Sequence, residues 1–198
     1  MSRADATPAP GPTREQIEAA ARRRVPDVLV PGLRVVFVGI NPGLYSAATG
    51  HHFARPGNRF WKALHRSGFT PRELRPDEDG NLPSFGLGIT NIVGRASAGA
   101  ADLSGDELRA GARSLERRLR RVSPAFVAFL GLGAYRTAFG RPRAGIGEQP
   151  ERVAGARVWL LPNPSGLNAH HQLPDLSRRF AELARAAGFG RSRSRPVR

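Results

Sequence analysis

Four apolar runs stand out along the chain, and each is followed by a polar or glycine-containing segment. They lie at residues 35–38, 87–93, 125–130 and 158–161. Runs of β-branched and aromatic residues without alternation are typical of parallel strands that are covered on both faces. Because Gly39 breaks the first run, we predict that this strand ends at the carboxyl edge of a central sheet.

Segments with helical periodicity separate these runs. Ser104 and Glu107 fit a capping box, in which both side chains satisfy backbone N–H groups at the start of a helix. Leucines then recur at helical spacing up to Pro124. Further helices are predicted within residues 14–24, 58–67, 132–139 and 174–187. Strands that alternate with helices predict one α/β domain, in which a parallel sheet lies between two layers of helices.

Other segments are predicted to lie outside this framework. Residues 44–56 and 141–155 are rich in turn-forming residues, and we interpret them as loops. Residues 1–27 are interpreted as an N-terminal tail with a short helix, partly disordered because its Pro/Ala-rich start has little to bury. The domain itself is predicted at residues 28–189, and residues 190–198 are predicted to be a basic, disordered tail.

The charge of the chain points to a polyanionic partner. The formal net charge of the 198 residues is +15, and the sequence pI is about 11.8. Such a balance favours nucleic acid, the commonest polyanion that proteins bind. Compositional drift is the alternative, because Lys62 is the only lysine among 31 basic residues and GC-rich coding alone produces that pattern.

The composition also excludes several kinds of site. The chain has no cysteine, which rules out disulfides, thiolate metal sites, iron–sulfur clusters and a cysteine nucleophile. An intracellular location is the simplest expectation for such a chain. No apolar run approaches the roughly 18 residues that a membrane span requires, so we expect no membrane partner.

Two of the predicted strands end in related Asn-Pro turns. Asn41 lies in the first turn, at residues 39–43, and Asn163 lies in the second, at residues 161–166. Either turn alone is usually no more than a turn. Where both strands are central and parallel, the two turns lie at one edge of the sheet and face a common crevice, which is where open α/β sheets bind ligands.

Three motifs together resemble the mismatch-specific uracil/thymine-DNA glycosylases. They are Gly-Ile-Asn-Pro-Gly at residues 39–43, Pro-Gly-Asn-Arg-Phe-Trp at residues 56–61 and Asn-Pro-Ser-Gly-Leu at residues 163–167. The resemblance covers residues 31–187, in the family's order and spacing. It implies the uracil-DNA glycosylase fold, a three-layer α/β/α structure with a four-stranded parallel sheet, and DNA bound across the strand ends.

The resemblance also implies an activity. The chain is expected to be a monofunctional glycosylase that hydrolyses the N-glycosidic bond of uracil mispaired with guanine in double-stranded DNA, after base flipping, and so starts base excision repair. Thymine and ethenocytosine are further candidate bases, because residues 50–52 and 90–91 look like the thymine-processing branch. Asn41 matches the residue that holds the hydrolytic water; since an amide is a weak base, the sugar must develop oxocarbenium character before water adds.

The remaining site residues follow from the same resemblance. Phe53 matches the aromatic residue that stacks on the flipped base, although a core phenylalanine is the alternative interpretation. Leu167 matches the wedge that enters the duplex, and Gly166 and Asn168 would contact the opposite guanine. The other implied pocket residues are Ile40, Gly43, Ser46 and Asn163, and backbone amides around Ile40 would stabilise the departing base. The implied contacts to the DNA backbone are His51, His52, Ser165 and His170.

No metal or other cofactor is implied, and His51 and His52 lack a Cys or acidic co-ligand at usable spacing. The expected protein is a monomer in the bacterial cytoplasm, associated with the nucleoid when it is on DNA. A non-catalytic basic α/β module that only binds DNA is the main alternative. A nucleotide-binding enzyme is a second alternative, but the turn at residues 39–43 lacks Gly-x-Gly-x-x-Gly and a Walker lysine.

Overall fold

The structure is a computed structural model that describes residues 11–166 and 171–190. The strands in these residues are β1 (Val35–Gly39), β2 (Leu87–Asn91), β3 (Phe126–Leu130), β4 (Gly147–Val153) and β5 (Ala156–Leu161). They form one sheet in the order β2-β1-β3-β5-β4. Strands β1, β2, β3 and β5 are parallel, and β4 is antiparallel to β5 at one edge.

Helices precede the first strand, follow the last strand and separate most of the strands along the chain. They are α1 (Arg14–Glu18), α2 (Leu44–Thr49), α3 (Phe60–Arg66), α4 (Gly105–Val122), α5 (Leu132–Phe139) and α6 (Leu173–Ala186). Two 3₁₀ helices occupy Pro76–Phe85 and Ala100–Asp102. Across the described ranges, no helix is both long and apolar enough to cross a membrane.

Strand β1 is buried on both faces, as its apolar run predicts. Successive side chains of a strand point to opposite faces. Phe37 therefore joins α3 and α6 in one core cluster, where its ring stacks on Phe180 at 5.7 Å between centroids. Val36 and Val38 join α4 and α5 in the other cluster. The predicted α/β/α fold class is thus confirmed.

The sheet differs from the prediction in its strand count, which is five instead of four within the described residues. The fifth strand, β4, lies in residues 141–155, which we interpreted as a loop. Its residues alternate between half-buried and exposed up to Val153, which is buried, because one face of this edge strand meets solvent. It also contains Pro150, which argues against a central strand but is tolerated at a sheet edge.

Two helices also differ from the prediction. Helix α2 lies within residues 44–56, another predicted loop, and six residues are too few for a periodic pattern to show. Helix α1 ends at Glu18, although the pattern predicted a helix up to residue 24. The chain leaves the helix because Arg22 N donates to the Ala96 carbonyl, and Arg23 O accepts a bond from Ala96 N.

The segment before residue 28 packs on the domain in its described part. Ala20 and Val25 are buried with Ala47 and Ala96 in a small apolar cluster. The predicted boundary at residue 28 therefore separates two parts of the chain that are in contact. The assignment of residues 1–27 to a separate tail remains a prediction, and residues 1–10 lie outside the described part.

The predicted capping box of α4 is present. Ser104 Oγ accepts a bond from Glu107 N at 3.1 Å, and Glu107 Oε2 accepts one from Ser104 N at 3.0 Å. Arg95 also donates to Glu107, at 2.5 and 2.9 Å. These hydrogen bonds, from Arg95 first and from the Ser104 backbone second, lower the pKa of Glu107 to about 2. The start of α4 is thereby tied to the loop that follows β2.

A glycine in α4 provides a test of this packing. A Cβ on Gly111 would lie 2.6 Å from the carbonyl oxygen of Ile92. We therefore expect Gly111→Ala to lower the free energy of unfolding by about 1–3 kcal/mol, the usual cost of overpacking. In α5, a Cβ on Gly133 meets nothing within 4 Å. The control Gly133→Ala should therefore raise the free energy of unfolding by about 0.5 kcal/mol, because alanine has a higher helix propensity than glycine.

Urea denaturation of the wild-type protein and the two variants measures both effects. A destabilisation by Gly111→Ala together with a neutral or stabilising Gly133→Ala agrees with the structure. Equal effects of the two substitutions would contradict the contact between α4 and the end of β2.

Candidate active site

One cavity lies at the carboxyl edge of the sheet, where β1 and β5 both end. Its volume is about 380 Å³, and Asn41 and Asn163 both line it, with Leu130 at the end of the intervening strand β3. The parallel arrangement of the strands thus brings the two Asn-Pro turns to one crevice, as the sequence predicts. Ile40, Gly43, Ser46, Phe53 and Ser165 line the same cavity.

The side-chain amide of Asn41 is held in one orientation. Its Nδ2 donates to the Arg95 carbonyl at 3.2 Å and to Ser97 Oγ at 2.8 Å. A carbonyl oxygen can only accept, so Nδ2 must be the atom that faces Arg95. The hydroxyl of Ser97 donates to the Gly99 carbonyl at 2.7 Å, which leaves its oxygen to accept from Asn41. Asn41 Oδ1 therefore remains as the acceptor of this side chain.

Ser46 fixes the loop that carries Phe53. It lies in α2 and is buried, and its Oγ accepts a hydrogen bond from Ala54 N at 3.1 Å. The structure therefore gives Ser46 a definite part in the cavity wall. The contact with base or phosphate that the resemblance implies for this residue stays a prediction.

Phe53 is held between the core and the cavity. Its backbone has φ 52°, a left-handed conformation that is unusual for a phenylalanine. Its ring stacks on Phe60 at 4.4 Å, so Phe60 supports it from the core. A Cβ on Gly39 would lie 3.2 Å from Phe53 Cζ and 2.4 Å from Asn91 Oδ1, so only glycine leaves room for both side chains here.

The two adjacent histidines face different partners. His51 is partly exposed, and its Nδ1 lies 3.2 Å from Asp79 Oδ1. His52 is only 2% exposed, and its Nε2 lies 2.9 Å from the Pro26 carbonyl oxygen. That carbonyl can only accept, so Nε2 carries the proton, and Nδ1 is 3.5 Å from the Asn91 amide. His52 thus forms part of the cavity wall, a placement that favours a structural part over the predicted phosphate contact.

The second Asn-Pro turn is closed by its own side chain. Asn163 Oδ1 accepts a hydrogen bond from Ser165 N at 3.0 Å, an arrangement typical of asparagine in turns. The next residue, Gly166, lies so close to Gly57 that a Cβ would be 2.7 Å from the Gly57 carbonyl oxygen. The other predicted wedge and backbone residues of this region, Leu167, Asn168 and His170, lie outside the described residues.

Sequence reasoning assigned no site role to two buried polar residues of the cavity, Ser97 and Asn91. Both are buried, and both line the cavity. Asn91 ends β2 and lies within the apolar run at residues 87–93, so a polar side chain inside a buried run was a usable signal. Ser97 lies in a loop with no pattern, and only its contact with Asn41 reveals it. Among the described residues, no group of three or more His, Cys, Asp or Glu side chains could hold a metal ion.

Comparison with known protein families identifies the superfamily to which the chain belongs. The family model described as the uracil DNA glycosylase superfamily matches residues 26–187, which is most of the chain. The chain belongs to this superfamily. Membership supports a hydrolytic DNA glycosylase activity, with DNA as the partner.

A solved structure agrees with this assignment at the level of the fold. It is the solution structure of a Methanosarcina acetivorans protein that is described as a candidate uracil DNA glycosylase. The two chains are 17% identical, with a TM-score of 0.55 over 81% of this chain and 94% of the other. At this identity the likeness concerns the fold alone.

The buried His52 predicts that the free energy of unfolding of this protein depends on pH. Burial lowers the pKa of His52 below its ordinary value of 6.5. The unfolded chain therefore binds more protons between about pH 6.5 and the lower pKa of the folded state. The contribution of neutral His52 to the free energy of unfolding is therefore complete above this pH range. The contribution is lost as the pH falls through the range.

We expect the free energy of unfolding to be lower at about pH 5 than at about pH 7.5, and His52→Gln to reduce that difference. Glutamine keeps a donor for the Pro26 carbonyl but does not titrate. Glu78 and Glu107 stay ionised in this window because the pKa of each is about 2. Urea denaturation at both pH values is the measurement. An identical pH dependence in the variant would show that His52 is not the group responsible.

Proposed function

We propose that this protein is a monofunctional DNA glycosylase that removes uracil mispaired with guanine from double-stranded DNA and so starts base excision repair. The observation that carries the proposal is the fixed orientation of the Asn41 amide in a cavity at the strand ends. Thymine and ethenocytosine opposite guanine are further candidate substrates. The protein acts as a monomer in the bacterial cytoplasm.

The target base reaches the cavity by flipping out of the duplex, because its glycosidic bond is shielded within the base stack. The partly exposed ring of Phe53, supported by Phe60, offers the flipped base a stacking surface. A volume of about 380 Å³ lies within the range of cavities that bind small ligands. Ser46 and Asn163 line the same space and shape the wall around the base.

Asn41 Oδ1 positions the water that attacks C1′ of the sugar. An amide oxygen accepts a hydrogen bond from water but is too weak a base to remove its proton. Bond breaking therefore leads: the N-glycosidic bond lengthens, the sugar gains oxocarbenium character, and the base departs as an anion. The water then adds to C1′, and the proton that it loses passes to solvent, which in turn protonates the departed base. Backbone N–H groups around Ile40 and the following turn stabilise the negative charge on the departing base. Such an enzyme relies on positioning, and a modest rate is expected.

The net charge of +15 supplies attraction to the phosphate backbone without reading the sequence. Discrimination of the mispaired base then falls to the cavity and to the residues that contact the opposite strand. Gly166, Leu167 and Asn168 are proposed for the wedge and for the opposite guanine. His51, Ser165 and His170 are proposed for contacts to the backbone of the DNA.

A set of labelled duplexes tests this function. Uracil, thymine and ethenocytosine are each placed opposite guanine, uracil is also placed opposite adenine, and alkali-labile sites are measured in single-turnover reactions. We expect cleavage at uracil opposite guanine to be fastest. If the protein binds every duplex and cleaves none, the non-catalytic DNA-binding module becomes the better account.

The contact between Ser97 and Asn41 provides a second test. Ser97→Ala removes one of the two acceptors that orient Asn41, so we expect the single-turnover rate to fall by roughly tenfold to a hundredfold, with duplex affinity unchanged. Ser97→Thr keeps the hydroxyl group and serves as the matched control, which should retain most of the rate. A wild-type rate for Ser97→Ala would show that the hydrogen bond to the Arg95 carbonyl is sufficient to orient Asn41 and that the bond to Ser97 is not needed.

A further inference from the structure

A short segment near the start of the described chain binds the loop that orients Asn41. We call this segment, residues 20–25, the N-terminal strap. The backbone N–H of Arg22 donates to the Ala96 carbonyl oxygen at 3.1 Å, and Ala96 N donates to the Arg23 carbonyl oxygen at 2.8 Å. The strap and the loop are thus joined by a reciprocal pair of backbone hydrogen bonds.

The place of Ala96 in the loop gives this attachment its importance. Ala96 stands between Arg95 and Ser97 in the sequence. The carbonyl oxygen of Arg95 accepts from Asn41 Nδ2 at 3.2 Å, and Ser97 Oγ accepts from the same atom at 2.8 Å. Because planar peptide bonds join these three loop residues, a movement of Ala96 displaces both acceptors. The strap therefore bears on both hydrogen bonds that orient the amide.

Apolar contacts reinforce the attachment at both ends of the strap. Ala20 and Val25 are buried, and they form one cluster with Ala96 of the loop and Ala47 of α2. Helix α2 also carries Ser46, which lines the cavity. The strap thus joins two elements of the cavity wall, the loop after β2 and helix α2.

The backbone conformation of Arg22 is set by these contacts. Its φ of 66° lies in the left-handed region, which is uncommon for residues other than glycine. Such a conformation persists only where the surrounding structure imposes it. Because Arg22 is exposed, it is the backbone N–H of this residue, and not a buried side chain, that ties the strap to the loop.

We propose that the N-terminal strap is a positioning element for hydrolysis: it fixes residues 95–97 so that Asn41 Oδ1 faces the attacking water. The inference rests on the proposed glycosylase function. The strap lies before residues 26–187, the part of the chain that matches the superfamily model, so a role in the reaction falls to residues outside that match. The strap acts through the loop and through Asn41.

The physical basis of this role is preorganisation. Loops move more than the strands and helices that they connect, so a loop that carries both acceptors of Asn41 needs a support. A misplacement of about 1 Å at a reacting centre can lower a rate by roughly a hundredfold. The hydrogen bonds and the buried side chains of the strap restrict this movement.

Two substitutions at Arg22 separate the backbone contact from the loss of the side chain. Arg22→Pro removes the N–H that donates to Ala96 and forces φ to about −65°, so the strap cannot keep its conformation. Arg22→Gly retains the N–H and adopts positive φ readily. Both variants lose the same guanidinium group, so their charge changes equally.

We expect the single-turnover rate on uracil opposite guanine to be roughly tenfold to a hundredfold lower for Arg22→Pro than for Arg22→Gly. The equilibrium affinities of the two variants for the duplex should agree within about twofold, because the strap acts on the chemical step. Equal single-turnover rates for the two variants would overturn the proposal.

A double-mutant cycle shows whether the strap acts through Asn41. In the Asn41→Ala background there is no amide to position, so the rates of Arg22→Pro and Arg22→Gly should agree within about twofold. General damage to the fold would instead lower the rate by the same factor in both backgrounds. A difference between the two variants that persists undiminished in the Asn41→Ala background would therefore overturn the proposal.

A second pair of variants keeps the test valid where Arg22→Pro does not unfold cooperatively. Val25→Ala loosens the apolar anchor of the strap. Val122→Ala makes the same change at the same exposure of 6%, but at the end of α4 in another core cluster. We expect Val25→Ala to be about threefold to tenfold slower than wild type, and Val122→Ala to stay within about twofold of wild type. Equal rates for these two variants would contradict the role of the strap.

The nuclear magnetic resonance signals of the Asn41 side-chain amide give a readout that does not require cleavage. We expect the Nδ2 hydrogens to differ in chemical shift between Arg22→Pro and Arg22→Gly, because both of their acceptors move in the proline variant. Identical shifts would overturn the proposal. If the wild-type protein cleaves no duplex although these shifts differ, the glycosylase function has failed, while the positioning of Asn41 by the strap is supported.

Discussion

The fixed orientation of the Asn41 side-chain amide is the constraint on which the site depends. Both of its acceptors come from one loop, which supplies the Arg95 carbonyl and Ser97 Oγ. That loop is itself held from three directions. The Arg95 guanidinium pairs with Glu107 at the start of α4, Ala96 exchanges backbone hydrogen bonds with Arg22 and Arg23, and Ser97 N donates to the Pro42 carbonyl at 3.2 Å.

The opposite wall of the cavity depends on the aromatic core. Phe53 stacks on Phe60, and Phe60 contacts the edge of Phe37 in the middle of β1 at 5.4 Å. The stacking surface proposed for the flipped base is thus supported by the same strand that presents Asn41. Gly39 at the end of this strand leaves room for Phe53 and Asn91 together. The amide that we propose to bind water and the surface that we propose to stack on the base therefore share the support of β1.

The sequence predicted those parts of the structure that depend on local patterns. The apolar run of β1, the capping box of α4 and the Asn-Pro turns each lie within a few consecutive residues. The parts it did not predict depend on contacts between distant residues. Ser97 lies 56 positions from Asn41, so no periodicity marks this pair. Strand β4 was missed because an exposed, proline-containing edge strand has the composition of a loop.

We propose that Asn41 positions water for cleavage of the glycosidic bond. The most direct measurement compares Asn41→Ala with wild type on a duplex that contains uracil opposite guanine, and records the single-turnover rate and the equilibrium affinity separately. We expect Asn41→Ala to lower the rate by roughly a hundredfold or more, with affinity within about threefold of wild type. A rate equal to that of wild type at equal affinity would contradict the role of Asn41 and the mechanism built on it.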